Sequence, residues 1–85
     1  MKYEIRITGG ALSVADVVDD LLSDVDSVLT VEEKVSPISG SIEADGYGRM
    51  LGRVYLETDK VISSRIVNDL KVQFPGIEFE LLETT

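Results

Sequence analysis

RMLGRVYLET, residues Arg49–Thr58, is the stretch whose reading decides the fold. Met50, Gly52, Val54 and Leu56 fall on one face, and Leu51, Arg53, Tyr55 and Glu57 on the other, the two-residue period of a strand. A strand apolar on one side and mixed on the other belongs to a sheet covered on one face only. The remaining apolar segments read as elements that pair beside this strand or cover it.

Upstream, Lys2–Ile7 alternates Tyr3, Ile5 and Ile7 with Lys2, Glu4 and Arg6 and reads as the first strand. Thr8-Gly9-Gly10 ends it. Ser13, with Asp16 three residues on, is the expected N-cap of a helix running to about Val25. Val14, Val17, Val18, Leu21, Leu22 and Val25 form its apolar stripe. Val28–Val35 reads as a second strand, with Leu29, Val31 and Val35 inward and a break in pattern at Glu33 that suits an edge or a bulge. Pro37 weakens any ladder there. Ser36–Gly48 then reads as a long, mobile connection, with Ile42 in a short hairpin arm inside it.

Downstream, Asp59 is the expected N-cap of a second helix, Lys60 to about Phe74, in which Ile62, Ile66, Leu70 and Phe74 recur every four residues. Pro75-Gly76 stops it. Ile77–Leu82 is the last strand, alternating Ile77, Phe79 and Leu81 with Glu78, Glu80 and Leu82. The order βαββαβ with right-handed crossovers predicts an α+β, ferredoxin-like two-layer sandwich. Its four-stranded antiparallel sheet has the order 4-1-3-2, with two helices on one face. Residues 1–85 make a single domain. The open sheet face is expected to carry Glu4, Arg6, Thr30, Glu32, Leu51, Arg53, Tyr55, Glu57, Glu78, Glu80 and Leu82, with Leu51, Tyr55 and Leu82 as an apolar patch suited to an interface.

Composition narrows the function. Cysteine and histidine are both absent, which removes disulfides, thiolate nucleophiles, the commonest metal ligand and the commonest general base near neutral pH. The 16 acidic against 8 basic residues give a net charge of −8, which disfavours nucleic-acid phosphate and permits a basic protein partner. No apolar run approaches the roughly 20 residues of a membrane helix, and MKYEIRI lacks the long apolar core of a signal peptide. The expectation is a cytoplasmic or virion-associated protein that binds no membrane and needs no cofactor.

Asp16, Asp19, Asp20, Asp24 and Asp26 line or follow the first helix with no basic residue among them. The calcium-loop spacing fails, because Val28 and Leu29 stand where a ligand and the turn glycine are needed. No nucleophile, base or oxyanion group accompanies the carboxylates, so neither a catalytic nor a metal site is expected. Asp16, Asp19, Asp20 and Asp24 are instead the candidate contacts for a basic partner. Tyr47 and Arg49 in DGYGR are further candidates, both types being enriched at interface hot spots. Arg53 and Tyr55 on the central strand share residue types with RNA-recognition sheets, but the glycine-aromatic signature of such strands is missing and the charge is wrong. They are retained as protein-contact candidates, with Arg53 and Arg6 expected to pair across strands with neighbouring glutamates.

Gly9-Gly10 leads from a strand into a helix N-terminus, a place that favours anions. The strand order resembles that of ACT-like regulatory domains, which often bind small effectors near this first strand–helix loop. The resemblance implies a homodimeric small-molecule sensor. The residues themselves favour a non-enzymatic, acidic protein-binding module, one form of which is an inhibitor whose acidic surface mimics nucleic acid.

Overall fold

The computed structural model describes residues 1–23, 28–31, 33–44 and 46–84. Their order is β1 (Lys2–Gly9), α1 (Ala11–Leu22), α2 (Val28–Val31), β2 (Ser39–Ala44), β3 (Met50–Glu57), α3 (Ile66–Gln73) and β4 (Glu78–Glu83). The sheet has four strands in the order β2-β3-β1-β4, every pairing antiparallel. This is the expected ferredoxin-like sandwich, with the RMLGRVYLET strand at its centre beside β1. Tyr3, Ile5, Ile7, Val54, Leu56 and Phe79 present the inner face of the sheet to Val14, Val17, Val18, Leu21, Ile66 and Leu70, all of them buried.

α1 starts earlier than Ser13. Its N-cap is Gly10, in extended backbone at φ −66° and ψ 150°, and Val14 N–H donates to the Gly10 carbonyl at 2.9 Å. β1 runs on to Gly9, so one residue makes the connection and brings Val14 onto the sheet; Ser13 lies in the first turn. Ser23 caps the other end through its N–H on Asp19 O. The expected continuation to Val25 lies outside the described residues, as do Asp24 and Glu32.

Two expected elements change. Val28–Val35 is not a strand: Val28–Val31 is one helical turn, Thr30 lies in it, and Lys34 adopts left-handed backbone at φ 55°. Leu29 and Val35 are buried while Val31 stays exposed, so the apolar residues there plug the core without alternating. The second strand lies instead at Ser39–Ala44, inside the expected loop, and forms with β3 the hairpin arm that holds Ile42. α1 crosses the inner side of the β2–β3 pair at two glycines. A Cβ on Gly40 would lie 2.9 Å from both Leu22 Cδ1 and the Arg53 carbonyl oxygen, and one on Gly52 would lie 2.7 Å from Val18 Cγ2 and 2.9 Å from Val14 Cγ1. Gly40 and Gly52 thus floor a trough in which α1 is seated.

α3 is also shorter than expected, beginning at Ile66 and not at Lys60. Ser63 and Ser64 turn the chain instead: their carbonyls accept from Ile66 and Val67 N–H, and Ser63 Oγ accepts from Arg65 N–H at 3.2 Å. Serine competes with the helix in this way by bonding nearby backbone. Ile62 is buried without being helical, its N–H donating to the Tyr3 hydroxyl at 3.3 Å.

Candidate functional site

The register places the outward-facing residues in rows across the sheet. Ser39, Tyr55, Glu4 and Leu82 form one row; Ser41, Arg53, Arg6 and Glu80 the next; Glu43, Leu51, Thr8 and Glu78 the third. Arg6 and Arg53 are therefore directly opposed, an arrangement that like charges disfavour. Glu4 resolves it. Arg6 Nε donates to Glu4 Oε2 at 2.6 Å, and Arg53 Nε lies 3.6 Å from Glu4 Oε1. Arg53 Nη1 also donates to Glu43 on the edge strand. That hydrogen bond, with the charges of Glu43 and Glu4, raises the Arg53 guanidinium above its ordinary range against the opposing pull of desolvation. The network runs across three strands, β2, β3 and β1; Arg53 pairs across strands as expected, whereas Arg6 takes Glu4 of its own strand in place of a cross-strand glutamate.

Glu4 is 7% exposed although no helix covers this face. Tyr55 and Leu82, both half-buried, flank it. The apolar patch expected here is divided: Leu51 lies two residues along β3 from Tyr55's neighbour row, with Arg53 between them. Beside β4 an open cleft of about 340 Å³ is lined by Arg6, Thr8, Glu78, Glu80, Phe79 and Lys71.

The candidate contacts fall on separate surfaces. Arg53 and Tyr55 belong to the open face. Tyr47, 89% exposed, lies in the turn between β2 and β3, where Gly46 and Gly48 have φ of 88° and 77°. Arg49 follows that turn, 3.8 Å from Glu78 at the start of β4. Asp16, Asp19 and Asp20 are exposed on α1, in the opposite layer. Asp16 and Asp20 line a groove of about 260 Å³ between α1 and the end of α3, floored by Val17, Phe74 and Ile77. Val17 and Ile77 belong to the core and Phe74 packs against it, as their apolar spacing implies; only the packing of the helix ends reveals that they share a groove. Glu4 was legible as an outward residue, but nothing in the alternation of β1 marks it as buried.

Among the described residues, no group of three or more Asp or Glu side chains is arranged to hold a metal ion, and no helix is long and apolar enough to cross a membrane.

No protein-family profile matches the chain, and no curated protein matches it. Among solved structures it is similar to an unknown protein from Galdieria sulphuraria, with a TM-score of 0.63 and 12% identity over 99% of this chain and 44% of that one. It is also similar to a formyltetrahydrofolate deformylase from Pseudomonas putida KT2440, with a TM-score of 0.61 and 20% identity over 99% of this chain and 29% of that one. The chain thus spans less than half the length of either. At such identities the likeness carries the fold alone.

Proposed function

We propose that the chain is a non-enzymatic regulatory module that acts by binding protein, with the open face of its sheet as the contact surface. The observation that carries this reading is Glu4, a carboxylate buried on the uncovered side and held by two guanidiniums. A buried charge needs fixed partners, and a face held in one arrangement beforehand loses less freedom on association. Tyr55 and Leu82 add apolar area beside the network. Glu80 in the arginine row and Glu43 and Glu78 in the adjoining one surround the two arginines, so the face suits a basic partner.

Affinity capture tests the reading. The native chain should retain a partner that the Tyr55→Ala, Leu82→Ala pair loses, while Val72→Ser on the exposed side of α3 leaves retention unchanged. Equal retention by all three chains removes the open face from consideration. Competition by nucleic acid for the captured partner is the mark of the inhibitor form.

The second reading is an ACT-like small-molecule sensor working as a homodimer. It draws on the shared topology and on β2, an edge strand exposed at every position, whose outer backbone groups can pair with another copy. Sedimentation at micromolar concentration reads the dimer, and a sensor gains RT ln(1+[L]/Kd) of stability from its metabolite. A strictly monomeric chain with no thermal response to metabolites rules this reading out.

A further inference from the structure

The groove between α1 and the end of α3 combines an apolar floor with an acidic rim. Val17 and Ile77 are buried beneath it, and Phe74, half-buried, tilts its ring at 39° against Phe79, with centroids 6.2 Å apart. Asp16 and Asp20 stand above them one helical turn apart, so they are neighbours on the same side of α1. Neither carboxylate has an ion pair among the described residues, and no basic side chain lines the groove. Two like charges at this spacing weaken a helix.

We propose that this groove seats an arginine side chain carried by a basic partner protein. The guanidinium is planar, weakly hydrated and always charged, and its fork can donate to both Asp16 and Asp20. The Phe74 ring supplies a surface on which such a cation packs favourably. The aliphatic stem of arginine lies along the half-buried Phe74 and the exposed Pro75, as long cationic side chains commonly do on apolar surface. Lysine brings the charge without the fork. An enclosed small-molecule site buries most of its ligand, whereas this groove opens onto the exposed Ser13, Asp16, Asp20 and Pro75. A side chain presented from another protein's surface fits that geometry. The inference rests on reading the chain as a protein-binding module, but it uses the helical layer and not the open sheet face.

The test is a titration of the isotope-labelled chain with a blocked pentapeptide, glycine-leucine-arginine-leucine-glycine, followed by residue-resolved amide NMR at low salt. Saturable shifts are expected at Val17, Asp20, Phe74 and Ile77. Replacing arginine by lysine in the peptide should weaken binding severalfold. Asp16→Asn with Asp20→Asn should weaken it by about tenfold, the loss expected of charge-assisted hydrogen bonds. Phe74→Leu should weaken it by about threefold, as for removal of an exposed cation–π contact. An unchanged spectrum away from the substituted residues confirms that each variant is folded. No saturable binding, shifts spread equally over Glu43, Glu78 and Glu80, or equal affinity for the lysine peptide overturns the proposal. Capture through the open face, measured on the Asp16→Asn, Asp20→Asn chain, separates the two surfaces: it persists if only the groove fails, and it is absent from the native chain if the wider reading fails.

Discussion

The two strand–helix–strand halves of the chain keep their slack at opposite ends. In the first, Gly10 alone joins β1 to α1, and the long connection follows the helix, from Leu22 to Ser39. In the second, residues 58–65 separate β3 from α3, and only 74–77 join α3 to β4. The helices differ accordingly. α1 has 12 residues and packs on β1, β2 and β3; α3 has 8 and packs on β4 and α2. A tight entry delivers α1 straight into the glycine trough. A loose entry lets Ser63 and Ser64 turn the chain, so α3 starts late while Ile62 enters the core from irregular backbone. The comparison teaches that an apolar stripe says which residues are buried, and that the residues between them decide whether a helix carries them there.

The largest expected effect is at the centre of α1. Leu21 is fully buried, and Leu21→Ala should cost roughly 2–5 kcal/mol in a denaturant titration. Leu70 is equally buried in α3. Leu70→Ala should fall toward the lower end of that range, because α3 touches fewer strands and its surroundings can close on the cavity more readily. A larger loss at Leu70 than at Leu21 breaks the comparison. Next is the trough itself. Gly52→Ala puts a methyl within 3 Å of both Val14 and Val18 side chains, and should cost about 1–3 kcal/mol by overpacking. Stability within about 0.5 kcal/mol of native, the usual spread of surface substitutions, means that α1 is not seated on Gly52.

These residues also mark how far the sequence could be read. β1, β3, β4 and the core face of α1 were legible because large apolar residues alternate or recur at the periods of strand and helix. β2 was not, since its inward positions are Gly40, Ile42 and Ala44, with one large apolar residue among them, and every position of the strand is exposed. Gly40 is there because α1 crosses at that position, a fact of packing that no local pattern carries. Val28–Val35 misled for the opposite reason, its valines suggesting a strand where Leu29 and Val35 only plug the core. At the candidate site, the Arg53–Glu4 pair followed from the alternation of the two central strands, whereas the Arg6–Glu4 pair lies within one strand and the Arg53–Glu43 pair needs the unexpected β2. The burial of Glu4 depends on both neighbouring strands at once.

Tyr3→Phe sharpens the account of the second half. Its hydroxyl accepts the Ile62 N–H, so β1 holds the irregular entry to α3. Removing it leaves a buried donor without that acceptor and should cost about 1 kcal/mol. Hydrogen exchange at Ile62 should quicken more than at Leu21 in α1. Equal changes at both amides indicate a general loss of stability and not a local tie.

The smallest effect has the most informative sign. In α3, Asp69 lies in the first turn and Lys71 in the last, each on the side that the helix dipole favours. In α1 the first turn has no acidic residue and the last turn no basic one, while Asp20 lies near the C-terminus one turn after Asp16. Asp20→Asn removes a like-charge pair and an unfavourable charge–dipole contact, and should stabilise the chain by about 0.5 kcal/mol at low salt. Asp69→Asn should destabilise it by a similar few tenths. Both effects should shrink as salt shortens the screening length. Thermal melts of the two variants at low and high ionic strength read the signs directly. Opposite signs show that α3 is charged for stability and α1 against it, which is the cost a helix bears when its carboxylates serve a partner. A loss on Asp20→Asn means the charge already stabilises the isolated chain, and the groove then needs no partner to account for its acidic rim.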